Sequence, residues 1–498
     1  MEIVATYVPE AGRDPAAELA RPPAEAALVE LRADLLGAER DLRTLVAASA
    51  RPVIVTLRSR AEGGAGPDDG PSRRRFFERA LALSAAFLDL EADRDLELLG
   101  RIVPAERAIV SLHLPAGVPG DLSERTRQLL ACPARFVKIV PTAHSLADLL
   151  EVLRLAVQFD RGPRAQRRAV IFAAGEIGRA SRLLGPLLAA PLAYAAWEAG
   201  REAAAGQFAA AELAAIAGHL AGRPRRLFAV LGRPVGASLS PRMHAAAYRA
   251  LRLPNLFVPI EVGEPSELGE LVAPSGESAL DSLGLPVGGF AVTMPWKEEA
   301  ARRCTVVAPR AQRARAVNTV LPRSGRLLGD CTDIDGLVRV LAEEGIELAG
   351  ARVLVLGSGA AARAALVALE LVGADASVAA RDAARGDEIA REFGVSRAAA
   401  ADCERCRAVI NATPAGAGGA PDRLLDELRL PAGAVAVDLP YGDLPTRLEE
   451  LSRARQWRYV SGREVLLYQG VAQFAAMTGS PPPVRAMAEA LGLSEAQS

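Results

Sequence analysis

Eight short apolar runs, each followed by a helix-like stretch, constrain this chain more than any other feature. They fall at residues 3–7, 28–32, 53–57, 87–91, 109–113, 136–140, 170–174 and 192–196, with helical patterns such as 74–86, 122–131 and 145–159 between them. Strand followed by helix, eight times between Met1 and about Ala221, predicts a compact (β/α)8 barrel of the TIM type. Side chains alternate across a strand, so parity decides which of them share a face. Glu30 with Arg32, Thr56 with Arg58, Asp89 with Glu91 and Ser111 with His113 are pairs of one parity, and the residues between them are Leu31, Leu57, Leu90 and Leu112. The leucines suit a helix-covered outer face. The polar residues therefore point inward near the C-terminal strand ends, where barrel enzymes carry their chemistry.

Lys138 extends the pattern. It lies in Phe136-Val137-Lys138-Ile139-Val140, where an ammonium must be desolvated among β-branched neighbours. Desolvation penalises the charged form, and a neutral amine in a water-poor site attacks a carbonyl to form an imine. The competing reading is a strand-edge lysine whose head reaches solvent. Inward polarity repeated on neighbouring strands argues against it. His144 opens the helix after the sixth strand and reads as a surface or capping residue.

Glu30-Leu31-Arg32, Thr56-Leu57-Arg58 with Glu62-Gly63-Gly64, Ser111-Leu112-His113, Val137-Lys138-Ile139, the run Gly175 to Arg182, and Gly206-Gln207 together resemble the type I 3-dehydroquinate dehydratase family. The resemblance implies that Lys138 forms a Schiff base with the ketone of 3-dehydroquinate and that His113 moves the proton of the adjacent C–H. It also implies that Arg182 and Arg58 hold the substrate carboxylate, and that Glu30, Arg32, Glu62 and Gln207 bind hydroxyls or position Lys138 and His113. The family's lid usually reads Ser-Ala-Pro-Gly-Gln. Here it is Ala203-Ala204-Ala205-Gly206-Gln207, without the hydroxyl and the stiffening proline.

Composition narrows the remaining classes. A chain of 498 residues, half of them hydrophobic, is long enough for two or three cores. A net charge of -1 provides no basic field for nucleic acid or an acidic membrane. Five cysteines make no disulfide framework, which suggests a reducing, cytoplasmic setting. Cys403 and Cys406 form a CxxC with no second ligand pair or nearby histidine, so they read as ordinary thiols and no metal is expected. The N-terminus opens directly on a strand, without the basic and apolar regions of a leader. The longest apolar passage, 185–197, is too short to span a bilayer and is broken by Pro186 and Pro191. Small-molecule substrates are the expected partners.

Residues 219–226 combine Gly, Pro and charge and read as a hinge. Further on, the apolar run 351–356, then Gly357-Ser358-Gly359-Ala360-Ala361-Ala362, then a helical pattern over 363–372 make a dinucleotide fingerprint of the Gly-x-Gly-x-x-Ala kind. It lets backbone approach a pyrophosphate at a helix N-terminus. The next strand, 376–380, ends in Arg381, where a carboxylate would select NAD; a guanidinium favours the 2′-phosphate of NADP, with Asp382 beside it leaving NAD open.

Gly232-Arg233-Pro234-Val235 with Ser238, Ser240 and His244, then Gly289 to Lys297 (GFAVTMPWK), Ala316-Val317-Asn318-Thr319, Thr332-Asp333, Asn411-Ala412-Thr413-Pro414, Tyr441 and Gln469, resemble the shikimate dehydrogenase family. That resemblance implies a Lys297–Asp333 catalytic pair, with Ser238, Ser240, Thr293, Asn318, Tyr441 and Gln469 on the substrate. It also implies NADP held by Gly357, Ser358, Gly359, Ala360, Ala361, Arg381, Asn411 and Thr413. Three positions depart from it: Ala291 and Cys331 each stand where Asn is usual, and Ala245 follows His244.

The expected layout is a barrel at 1–221, a substrate-binding domain at 226–335 and a Rossmann domain at 336–469, with C-terminal helices from about 470–498 packing back on the substrate-binding domain. The order of the two halves resembles the bifunctional plant enzymes that dehydrate 3-dehydroquinate and then reduce 3-dehydroshikimate. A C-terminal half that oxidises quinate or shikimate degradatively is the alternative. A metabolite sensor with decayed sites is the rival from another class, and the presence of Lys138, His113, Lys297 and Asp333 argues against it.

Overall fold

In the computed structural model, which describes residues 2–36, 41–159, 167–188 and 190–493, the alternating side chains of eight parallel strands meet in two layers. The strands are β1 (Glu2–Tyr7), β2 (Ala26–Arg32), β3 (Val53–Thr56), β4 (Phe87–Glu91), β5 (Ala108–Leu114), β6 (Phe136–Pro141), β7 (Ala169–Ile171) and β8 (Leu192–Ala196). They pair in the order β7-β6-β5-β4-β3-β2-β1-β8, a nearly closed barrel. Val4, Leu28, Ile54, Ile109, Phe136, Val170 and Leu192 pack as an apolar plug. Two residues further along their strands come Thr6, Glu30, Thr56, Ser111, Lys138, Phe172 and Tyr194, with Asp89 on β4. The plug excludes water from below, and the mainly polar layer above it faces the C-terminal strand ends.

Local hydrogen bonds move several expected boundaries. β3 stops at Thr56 because the Leu57 carbonyl accepts from Arg73 Nη2 at 3.0 Å and the Arg58 N–H turns to Asp34 Oδ1 at 3.3 Å. β7 stops at Ile171 rather than Ala174, since the Ala173 N–H donates to Ser181 Oγ at 2.8 Å. Among the described residues no ladder joins β7 to β8, so the expected full closure is replaced by one unpaired seam. The helix expected over 74–86 runs Gly70–Ala80, started by the Asp69 cap on the Ser72 N–H and a proline in its first turn.

The chain divides into two compact units, one of Met1–Arg225, Pro254–Gly263 and Ser282–Leu285, the other of Arg226–Leu253, Glu264–Asp281 and Pro286–Ser498. In the second unit β9 (Arg226–Gly232), β11 (Val287–Val292), β12 (Val306–Val307), β13 (Thr319–Arg323) and β14 (Arg326–Asp330) form a sheet ordered β9-β11-β13-β14-β12, and the first unit also includes the strand β10 (Asn255–Glu261). Ser324 and Gly325, both with positive φ, form the tight turn that folds β13 against β14 and sets Thr319 opposite Asp330. A third, all-parallel sheet holds β15 (Arg352–Leu356), β16 (Asp375–Ala379), β17 (Ser396–Arg397), β18 (Ala408–Asn411), β19 (Val435–Asp438) and β20 (Arg458–Val460). Its order, β17-β16-β15-β18-β19-β20, reverses direction between β15 and β18, the crevice where such sheets bind nucleotides.

The helices Thr332–Glu343 and Gly462–Thr478 pack closely, because a Cβ at Gly336 would lie 2.8 Å from the Val465 carbonyl and the Gln469 Cβ. The helix Val484–Ala490 packs on Ser240–Ala250; residues 494–498, the end of the expected C-terminal helices, lie outside the described residues. Among the described residues no helix is long and apolar enough to cross a membrane.

Ile54, fully buried in the plug, tests the two-layer account. Ile54→Ala should lower barrel stability by about 2–5 kcal/mol in denaturant unfolding, and a loss below about 1 kcal/mol would contradict it.

Candidate active sites

Lys138 is not a lone amine in a hydrocarbon wall. Its Nζ lies 2.6 Å from Asp89 Oδ2 and 3.5 Å from Glu30 Oε1, above the Tyr194 ring at 4.5 Å. This corrects the expectation of an apolar surround. Val137 and Ile139 face outward, and the inner layer meets the lysine head with carboxylates. Thr6 and Thr56 hydroxyls donate to Glu30 at 2.8 and 2.9 Å and hold it in place. Burial alone would raise Asp89, but Lys138 and Arg58 outweigh it and hold the carboxyl at about 2.

Arg58 anchors the same layer. Its guanidinium donates to Glu62 at 2.9 Å, Glu91 and Ser111 at 3.1 Å, and Asp89 at 3.3 Å. Burial works against its charge, and Asp89, Glu62, Glu91 and Glu30 more than offset that. Arg58 is therefore charge-compensated by protein carboxylates while it lines the cavity. Arg182 differs: it lies over Phe172 at 4.7 Å, its buried Nε has no hydrogen-bond partner, and among the described residues no carboxylate pairs with it. Burial and then the neighbouring Arg179 lower it to about 10, so it stays cationic at neutral pH. It lines the same cavity as Lys138.

His113 stands two residues beyond Ser111, which is paired in register with Lys138. Its Nδ1 is 3.0 Å from Glu62 Oε2, which also accepts the His113 backbone N–H at 3.1 Å. Burial, then the charges of Arg58, Lys138, Arg32 and Arg182, hold the imidazole well below its usual range. The ring is thus neutral. With Glu62 ionised, Nδ1 carries the proton toward it and Nε2 is left basic. Glu62 itself is pushed up to about 7, chiefly by burial and against the pull of Arg58.

Arg32 is held by Asp34 through two bonds, at 2.8 and 2.7 Å. Gln207 accepts from the Ala203 and Ala204 N–H groups at 2.7 and 3.2 Å, so the lid's own backbone orients its amide. Gly206 has φ +77, and a Cβ there would strike the Gly175 carbonyl at 2.2 Å; no other residue fits this docking of the lid. Glu30, Arg32, Arg58, Glu62, His113, Lys138, Arg182 and Gln207 all line one cavity of about 320 Å³, enough for a small cyclic acid. His144 is exposed and lies outside it.

Asp89, Glu91 and Ser111 were legible as inward residues, but not Asp89 and Glu91 as charge partners of Lys138 and Arg58, nor Ser111 as a hydrogen-bond acceptor for Arg58. Arg73 gave no sequence signal, hidden in an arginine run. It is fully buried and pairs with Asp95 at 2.6 Å and Glu91 at 3.4 Å.

In the second unit Lys297 opens the helix Lys297–Arg303, and its Nζ is 2.6 Å from Asp333 Oδ2. Burial opposes its charge, and Asp333 outweighs that, raising the ammonium above its ordinary range. The β13–β14 turn brings Asn318 to Thr332: Asn318 Oδ1 accepts from the Thr332 N–H at 2.8 Å, and Gln469 Nε2 donates to Thr332 Oγ1 at 2.9 Å. Burial raises the Tyr441 hydroxyl, which is hydrogen-bonded with Ser238 and lies close enough to feel Lys297. The Ser240 N–H donates to Ser238 Oγ at 3.3 Å. Thr293 lies so close to Gly232 that a Cβ there would meet Thr293 Cγ2 at 2.2 Å. Ala291 and Cys331 are buried; Cys331 Sγ is 3.9 Å from Asp333 Oδ2, and burial pushes its thiol up.

The residues expected to hold a cofactor lie where backbones approach closely. Gly357 has φ +122, and a Cβ there would lie 3.0 Å from the Ala412 carbonyl and Thr413 Cγ2. Gly359 starts the helix Ala360–Val372 with no side-chain cap, leaving its first N–H groups, with Ser358, Ala360 and Ala361 around them, to meet an anion. Arg381 is exposed, and Asp382 is turned away to cap its own helix by accepting from the Arg385 N–H at 3.1 Å. Asn411 is committed within the protein, bonding Asp438 at 2.8 Å and Thr413 Oγ1 at 2.7 Å. Cys403 and Cys406 lie in an apolar cluster.

Residues 11–222 match the family described as type I 3-dehydroquinase, 230–320 the shikimate dehydrogenase substrate binding domain, and 462–491 the shikimate 5'-dehydrogenase C-terminal domain. A shikimate dehydrogenase (NADP(+)) of Carboxydothermus hydrogenoformans is 33% identical over 280 residues, covering 54% of this chain and 97% of that protein. A chloroplastic bifunctional 3-dehydroquinate dehydratase/shikimate dehydrogenase of Arabidopsis thaliana is 27% identical over 488 residues, 92% of this chain and 78% of that protein. The pentafunctional AROM polypeptide of Candida glabrata is 28% identical over 469 residues, and the match spans 88% of this chain but 29% of that polypeptide.

The Glu62 carboxyl provides a direct test of the barrel electrostatics. The folded protein binds its proton more tightly than the unfolded chain, so Glu62 favours the fold below its usual 4.5, and this contribution is lost as pH rises through about 7. Carbon-13 NMR should place its titration midpoint near 7. A midpoint in the ordinary glutamate range would contradict the proposed burial.

Proposed function

Because this chain belongs to the shikimate dehydrogenase family and carries a type I 3-dehydroquinase domain ahead of it, we propose that it dehydrates 3-dehydroquinate and reduces the resulting 3-dehydroshikimate with NADPH. The observation that carries the reading is the convergence on one cavity of a buried amine, a neutral imidazole and a cation without a carboxylate partner, Lys138, His113 and Arg182. Arg182 receives the substrate carboxylate in charge-assisted bonds. Lys138 gives up a proton within its carboxylate layer, attacks the ketone and, with loss of water, forms an iminium. The iminium draws electrons from the adjacent C–H, and His113 Nε2 removes that proton. The enamine then expels the hydroxyl as His113 returns a proton to it, and hydrolysis frees Lys138. Glu62 holds the imidazole in the required tautomer. Activity should therefore rise with pH through about 7 as Glu62 ionises.

In the second unit NADPH, when bound, supplies the hydride. The backbone of Gly357, Ser358, Gly359, Ala360 and Ala361 would hold its pyrophosphate, Thr413 would line the same crevice, and the exposed Arg381, with Asp382 occupied as a helix cap, supports NADP over NAD. Lys297, kept protonated by Asp333, donates a proton to the carbonyl oxygen. Ser238, Ser240, Thr293, Asn318, Tyr441 and Gln469 bind the carboxylate and ring hydroxyls. We take the domains as 1–221, 226–335 and 336–469, with the C-terminal helices belonging to the middle one.

The full chain should consume NADPH when given 3-dehydroquinate alone. Lys138→Ala should abolish that consumption yet keep it with 3-dehydroshikimate, and Lys297→Met should slow both by at least about a hundredfold. NADPH consumption by Lys138→Ala from 3-dehydroquinate at the parent rate would overturn the reading.

A further inference from the structure

Asp438 is fully buried at the end of β19, and its two carboxylate oxygens accept from different loops, one from Asn411 and the other from Thr446. One oxygen accepts from Asn411 Nδ2 at 2.8 Å. That bond fixes which way the Asn411 amide faces, so that Asn411 Oδ1 accepts from the Thr413 N–H and hydroxyl at 3.2 and 2.7 Å while Nδ2 also reaches the Ala415 carbonyl at 3.2 Å. The 411–415 loop shaped this way is the one that packs against Gly357. The other oxygen accepts from Thr446 Oγ1 at 2.5 Å and, more weakly, from the Tyr459 hydroxyl at 3.4 Å. Asp438 and Thr446 are the two ends of the loop that carries Tyr441. Their bond closes that loop, and Thr446 in turn caps the helix Arg447–Arg455 through the Glu449 N–H at 3.1 Å. The segment after Asp438 has no slack, since a Cβ at Gly462 would strike the Pro440 carbonyl at 2.3 Å. Burial pushes the Asp438 carboxyl up to about 6, which three hydrogen bonds only partly offset. A costly buried acid at the junction of two site loops calls for a role that packing alone does not require.

We propose that Asp438 is a positioning residue that ties the cofactor-side loop 411–415 to the substrate-side loop 438–446, so that both halves of the reductase site are set by one carboxylate. The inference rests on the reductase reading above. A leucine in its place would leave Asn411 and Thr446 without their acceptor, and the two loops would lose their common reference. Asp438→Asn keeps the volume and the acceptor for Asn411 but replaces the oxygen facing Thr446 with an NH2 group.

The test uses the full chain, with 3-dehydroshikimate and NADPH varied separately and dehydration of 3-dehydroquinate as internal control. Asp438→Leu should raise both reductase KM values by about three- to tenfold with kcat changed less than about twofold. Asp438→Asn should restore the KM for NADPH more than the KM for 3-dehydroshikimate. Thr446→Val, a milder change that leaves Asp438 in place, should raise the KM for 3-dehydroshikimate alone, and it decides the matter if Asp438→Leu does not fold. Variants with lower Tm and unchanged KM values would show a merely structural carboxylate and overturn the proposal. A parent chain without NADPH oxidation would instead defeat the reductase reading itself.

Discussion

A buried cation needs an anion within reach, and the barrel interior is organised around that requirement. Arg58 and Lys138 lie in a layer closed from below by apolar side chains, where isolated charges are costly. Asp89 serves both, at 3.3 and 2.6 Å, and Glu30, Glu62 and Glu91 complete the set. Removing one partner would strand another. The layer therefore fixes the directions of its members. It holds Lys138 at one spot on the floor, leaves Glu62 with a proton affinity near neutrality, and spares Arg182 from internal pairing. Chemistry and packing are here the same constraint.

The second unit meets the requirement differently. Only two charges, Lys297 and Asp333, form the ion pair of its proposed site, and both are partly exposed at the starts of their helices. Precision comes instead from close backbone approach: Gly336 against the helix carrying Gln469, Gly232 against Thr293, and Gly357 against the 411–415 loop. Neutral hydrogen bonds among Asn318, Thr332 and Gln469 then fix the remaining side chains.

How far the sequence could be read follows from these two designs. The eight strands and the inward parity of Glu30, Arg58, Asp89, His113 and Lys138 were legible because strand periodicity is local. The pairing of Lys138 with Asp89 was not, because it joins residues 49 apart in sequence and depends on barrel curvature. Arg58 was expected on the substrate; it lines the cavity, and its ion pairs with Glu62, Asp89 and Glu91 had no sequence signal. The β13–β14 turn and the commitment of Asn411 to Asp438 also left no motif, since each becomes visible only once strands are neighbours. Boundary shifts at β3 and β7 arose from side chains, Arg73 and Ser181, that capture a backbone group.

The central claim is that Lys138 bonds covalently to a keto acid inside the charged layer. It is tested most directly by borohydride quenching of the full chain with 3-dehydroquinate, followed by peptide mass spectrometry. The account predicts a reduced adduct on the peptide containing Lys138 and on no other. An adduct elsewhere, or none while dehydration proceeds, would contradict it.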